Sequence, residues 1–236
     1  MAAGRATAAA LTLVLLARPV GGQAQSLARE GPADVTRLTI ARLHYSGGGD
    51  WYANPSSLPN LLERIRRDTR LPVAGREAVV TPLSPDLYDY PYLYMTGHGN
   101  VRFSEEELSA LRRYLAAGGF LHADDNYGMD ASFRREVQRL FPDHELVQVP
   151  LDHAIYRIVH SLPDGLPKVH EHDGLPAEGL GLFRDGRLVI FYSYQSDLGD
   201  GWEDPEVHGD PAPIREQALK AGVNLFAYAV AQRKPL

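Results

Sequence analysis

Between Gly118 and Gly128 the chain reads Gly-Gly-Phe-Leu-His-Ala-Asp-Asp-Asn-Tyr-Gly. That is a glycine pair that ends a helix, a short buried strand, and a turn carrying two carboxylates, an amide and a phenol. Asp124 and Asp125, side by side at a partly desolvated edge, repel each other. One of them should therefore ionise late and could serve as acid or base. The alternative is that both cap the next helix and satisfy turn N–H groups, the ordinary use of Asp and Asn in turns. Asn126 completes the polar turn. His122 shares a strand face with Asp124 by the period of two and reads as a core histidine. The 236 residues contain no cysteine and this turn no serine, so thiolate chemistry is excluded.

Further polar groups fall where other strands end. His44 precedes the Gly47–Gly49 run, which lacks the spacing of a dinucleotide or phosphate loop. In Gly97-His98-Gly99, the two glycines let backbone approach a ligand closely, while His98 can donate, accept or bind metal. It reads equally as a turn histidine bonded to a neighbouring carbonyl. His170-Glu171-His172-Asp173 has alternating histidines that could chelate from an extended strand, but no third donor stands at a fixed spacing, and a solvated polar loop is the favoured reading. The acidic run Asp197–Asp204 does not match a calcium loop. Trp202 within it is either a stacking surface for a sugar ring or a pin for the loop. No metal and no cofactor is assigned from these patterns.

The elements that must position these groups alternate. A β-rich run over 38–45 precedes a helix marked by Leu58, Leu61, Leu62 and Ile65, with Ser57 as cap. Strands are expected at 78–80 and 92–96. Ser104 and Glu107 form a capping box for the next helix, which Gly118 stops. A strand over 120–124, a helix capped by Asp130 and a strand over 146–149 follow. Alternation through residue 150 implies parallel strands joined by right-handed crossovers. Residues 151–180 and 194–210 are expected as long loops on the active face, and Arg184-Asp185-Gly186 as the tip of a β-hairpin. A last helix starts after Asp210-Pro211 and runs through Val230.

At the amino terminus, Arg5 precedes the apolar run Ala8–Ala17, and small residues stand at Gly22 and Ala24. The run falls short of the roughly 20 residues a span needs, so 1–24 is expected to be a cleaved signal peptide, 25–36 a linker and 37–232 one domain. The protein is then exported, periplasmic or extracellular, with no transmembrane helix in the mature chain. Its net charge of −6 becomes −8 once Arg5 and Arg18 are removed, which argues against nucleic acid as a partner.

The order of motifs resembles the class I glutamine amidotransferase-like, flavodoxin-related superfamily. Within it the chain resembles the family called domain of unknown function 4159. Leu43-His44-Tyr45, Thr96–Gly99, Gly118–Asp125, His153-Ala154-Ile155-Tyr156 and Ser196–Trp202 carry the likeness, across about residues 37–232. The resemblance implies a three-layer, doubly wound, mostly parallel flavodoxin-like sheet with a C-terminal β-hairpin and helix. It also implies that Asp124 or Asp125 stands at the elbow where the amidotransferases carry cysteine, so glutaminase chemistry is out. The reading that follows is a hydrolase-like enzyme using Asp125 or Asp124 with His98. His44, Gly97, Gly99, Asn126, His153 and Trp202 would line its ligand crevice. The competing reading is a non-catalytic envelope binding or scaffold module for a glycan or a protein partner; across the two readings the expected partner is an unknown small molecule or glycan, or an envelope protein.

Overall fold

In the computed structural model the described residues are Met1 and 38–233; the expected signal peptide and linker lie outside them. Seven strands form one sheet: β1 (Ile40–Leu43), β2 (Ala78–Val80), β3 (Tyr92–Met95), β4 (Phe120–Asp124), β5 (Val147–Gln148), β6 (Glu178–Arg184) and β7 (Arg187–Tyr194), in the order β2-β1-β3-β4-β7-β6-β5. The five strands from β2 to β7 in that order run parallel, while β6 is antiparallel to β7 and β5 to β6. The strand expected over 146–149 thus forms at the far edge. It does not extend the parallel set beside β4, because the β6–β7 hairpin occupies that place. At the hairpin tip Asp185 and Gly186 both take positive φ, the backbone that a tight two-residue connection requires.

The helices are α1 (Ser57–Asp68), α2 (Glu105–Ala116), α3 (Asp130–Leu140), α4 (Leu198–Trp202), α5 (Pro205–His208) and α6 (Ala212–Gln232). Every residue of β1, β3 and β4 is buried, as in a parallel sheet covered on both faces. Side chains alternate between two cores. Ile40, Tyr92, Tyr94 and Phe120 pack with α1 and α6, and Ala41, Leu93, Met95 and Leu121 with α2 and α3.

Helix starts agree with the sequence only in part. The capping box of α2 forms, with Ser104 accepting from the Glu107 N–H and Glu107 from the Ser104 N–H. Ser57 lies inside α1 and its hydroxyl donates to the Asn54 carbonyl. Asp130 sits in the first turn of α3, accepting from Arg134 and Tyr192. Pro211 takes the cap position of α6, leaving Asp210 free to face a histidine.

Candidate functional site

The carboxyl ends of β1, β3, β4 and β7 lie along one edge, where ligands bind in open α/β sheets. Arg42 of β1, itself buried, donates to the carbonyls of Ala53 (2.6 Å) and Asn54 (3.2 Å) and so holds the loop after β1 against the sheet. That loop is tied to the one after β3: the Gly49 N–H donates to the Asn100 carbonyl and that of Asp50 to the His98 carbonyl. A Cβ on Gly97 would sit 2.5 Å from the Tyr45 hydroxyl, so glycine is required there by the close approach of these loops. Gly99 likewise has a positive φ.

His122 and Asp124 lie on the same strand face in one buried chain of hydrogen bonds. The Tyr92 hydroxyl and His122 Nδ1 are 2.7 Å apart, and His122 Nε2 and Ser193 Oγ 2.8 Å. Ser193 donates to Asp124 Oδ1 (2.5 Å). Burial pushes the His122 imidazole down to about 3, so it is neutral, donating from Nε2 and accepting at Nδ1. Asp124 also accepts from the N–H groups of Leu198 (3.1 Å) and Gly199 (2.6 Å) and from the Tyr94 hydroxyl (3.2 Å). Burial raises its carboxyl to about 7 against the pull of these donors. Both oxygens are occupied, and what Asp124 does is anchor the start of α4.

Asp125 differs. It is buried, and its Oδ1 has no hydrogen-bond donor among the described residues. Burial raises its carboxyl, opposed by the N–H groups of Gln195 and Tyr127. Next to it, Asn126 donates to Asn54 Oδ1 (3.2 Å) and Asp200 Oδ1 (3.3 Å) and pairs with the Thr96 hydroxyl. Asn54 donates to the same Asp200 oxygen (2.5 Å).

Beyond Asn126 stands a group that the sequence displayed as two separate clusters. His172 Nε2 is 2.5 Å from Asp197 Oδ2, and His170 Nδ1 is 2.8 Å from Asp200 Oδ2 and 3.9 Å from Asp197 Oδ2. His170 Nε2 faces Asp210 Oδ1 at 3.1 Å, and His208 Nε2 lies 3.8 Å from Asp200 Oδ2. Burial, then the charges of Asp124, Asp200 and Asp125, push the Asp197 carboxyl up to about 9. Of five non-glycine residues with positive φ among the described residues, Asn54, Tyr127, Gln195 and Asp197 belong to this edge; the fifth is the hairpin-tip Asp185. Positive-φ backbone is thus concentrated at this edge among the described residues.

Several expected site residues stand elsewhere. His98 does not meet Asp125: its ring lies 3.0 Å from Asp50 Oδ2, and the pair forms an exposed rim. His44 is exposed and stacks on Trp51. His153 is far from the edge, packed on Phe183 near the hairpin tip and on Tyr228, where its ring accepts from the Ile155 N–H. Trp202 offers no stacking surface. It is fully buried and donates to the Ala218 carbonyl (2.7 Å), because the acidic run folds as α4 and turns the indole into the α1–α6 core. The alternating histidines and acidic run were the available signal for the second cluster; only the fold brings them together.

The class defined by this geometry is an α/β protein with a mostly parallel sheet whose carboxyl edge gathers histidines and carboxylates. A family model described as Domain of unknown function (DUF4159) matches residues 39–230, and the chain belongs to that family. No curated protein matches the chain. No helix among the described residues is long and apolar enough to cross a membrane.

Proposed function

We propose that the protein is an exported, hydrolase-like enzyme working at this carboxylate–histidine edge, with Asp125 as its acid or base and without glutaminase activity. The observation that carries this reading is the Asp125 carboxylate, buried and with an oxygen that no donor among the described residues satisfies. A carboxylate serving only as a cap has its oxygens occupied, as those of Asp124 are. A group whose ionisation is raised toward neutrality is also suited to proton transfer. The clustered positive-φ residues support the same edge. Export rests on the apolar run before Gly22 and Ala24.

We read the architecture as flavodoxin-like and amidotransferase-like. The order β2-β1-β3-β4 with a further parallel strand beside β4 supports this, since it matches the doubly wound flavodoxin arrangement. In that frame the Asp124–Asp125 turn takes the elbow position.

The test is hydrolysis of p-nitrophenyl esters, phosphates and glycosides by the purified full chain. Turnover of one class should fall about 100- to 10,000-fold in Asp125→Asn. No turnover in any class, or a variant as active as wild type, overturns the enzyme reading. The second reading, an envelope module binding a glycan or a protein, is then the one left standing. It draws on Tyr52 and Tyr127, exposed at 64% and 46% on the loops that carry Asn54 and Asp125, since exposed aromatic faces suit stacking.

A further inference from the structure

His170, His172 and Asp197 present one donor atom each within 4.8 Å of one another. We propose that these three side chains bind a single divalent transition-metal cation, zinc by preference, at the mouth of the carboxyl edge. Two imidazoles with a carboxylate form a donor set suited to zinc, and three protein ligands leave a coordination position open.

Four observations support the assignment. His170 Nε2 lies 3.1 Å from Asp210 Oδ1, the outer-shell contact that metal-bound histidines make, while Nδ1 lies 2.8 Å from Asp200 Oδ2 and 3.9 Å from Asp197 Oδ2 and turns from the first to the second on binding. Asp197 is 1% exposed in its side chain, and its Oδ1 has no donor among the described residues. A buried carboxylate oxygen left without a donor is a position that a bound cation would satisfy. The ammonium acting on it, Lys168, is engaged by Gln195 Oε1 (2.9 Å) and the Leu175 carbonyl (2.8 Å). Finally, the side chains of His170 and His172 are 25% and 26% exposed, so an ion has a way in from solvent.

Two of the three ligand-atom separations need little change, and the third, His170 to His172, is at most 4.8 Å and closes by up to about 1.5 Å. Bonds of about 2.0–2.2 Å to a tetrahedral zinc place its ligand atoms roughly 3.3 Å apart. The His172–Asp197 contact of 2.5 Å opens, and the His170–Asp197 separation of 3.9 Å closes, each by less than about 1 Å.

The site is tested without reference to turnover, so it stands or falls apart from the hydrolase reading. The full chain, stripped with EDTA, is titrated with zinc chloride by calorimetry, and its cobalt(II) complex is recorded in the visible range. The expected result is one zinc per chain and an intense cobalt band of low coordination number. His170→Ala and His172→Ala should lose more than the roughly 10–100-fold that removal of an outer-shell partner costs, and Asp210→Asn about that amount with stoichiometry kept. His144→Ala should bind as wild type does. No stoichiometric binding, a weak octahedral cobalt spectrum, or undiminished binding in both histidine variants overturns the site. The cobalt spectrum needs no variant, so it decides even if a substitution unfolds the chain. Zinc binding without hydrolysis would remove the enzyme reading alone; hydrolysis untouched by EDTA in a chain that binds no zinc would remove the metal site alone.

Discussion

Asp124 and Asp125 are chain neighbours, but the chain turns between them and they meet different surroundings. Asp124 faces the Ser193 hydroxyl and the first N–H groups of α4, whereas Asp125 retains an oxygen with no donor among the described residues. Removing the Asp125 charge should therefore relieve a cost. Asp125→Asn is expected to be more stable than wild type by about 0.5–2 kcal/mol while losing activity, the trade-off of a functional site held under strain. Paired thermal melts and rate measurements check this, and a destabilised variant would count Asp125 as structural. Trp202 runs the other way. Its indole fills the α1–α6 core, so Trp202→Ala should cost about 3–5 kcal/mol in urea denaturation. A loss of glycan binding at unchanged stability would instead restore the stacking role.

At the scale of elements, α1 and α6 lie together on one face of the sheet and are tied by Arg64, which donates to both Glu216 oxygens (2.6 and 2.8 Å). Hydrogen bonding from Arg64 pulls the Glu216 carboxyl down to about 2. The folded value lies below the unfolded value of about 4.3, so the stabilisation is full above that pH and fades as pH falls toward 2. Glu216 is 45% exposed, and solvent screening limits the pair to about 0.5–1 kcal/mol. Urea midpoints of wild type and Glu216→Gln should differ near neutral pH and converge between about pH 5 and pH 2. Curves that stay parallel would mean that the pair contributes nothing. The antiparallel hairpin also belongs to this scale. Asp185-Gly186 made its tip readable, but its place beside β4, which sends β5 to the far edge, depends on pairing across distant segments.

For the whole molecule, the expected export predicts cleavage after Ala24. Intact mass of the protein recovered from an exporting host checks it, and a chain retaining Met1–Ala24 would refute it. How far the site could be read divides on the same lines. The Asp124–Asn126 turn was visible because strand, turn and helix signals are local. His170, His172 and Asp197 were visible as residues and not as a group, since the histidines and the carboxylate come from loops 25 residues apart, Asp197 from His172. For Trp202 the choice between a stacking surface and a loop pin stayed open, because nothing in an acidic, glycine-rich run announces that five of its residues form a helix with the indole inward.

Sequence alone determined what acts over short range: the alternation that makes an α/β protein, the capping box of α2, the Asp-Gly hairpin tip, and the exclusion of thiol chemistry. Tertiary structure decided which polar groups are satisfied and which are not. Hydrogen bonding and burial are settled by whatever the fold packs against each side chain, which is why one of two adjacent aspartates became an anchor and the other a candidate for chemistry.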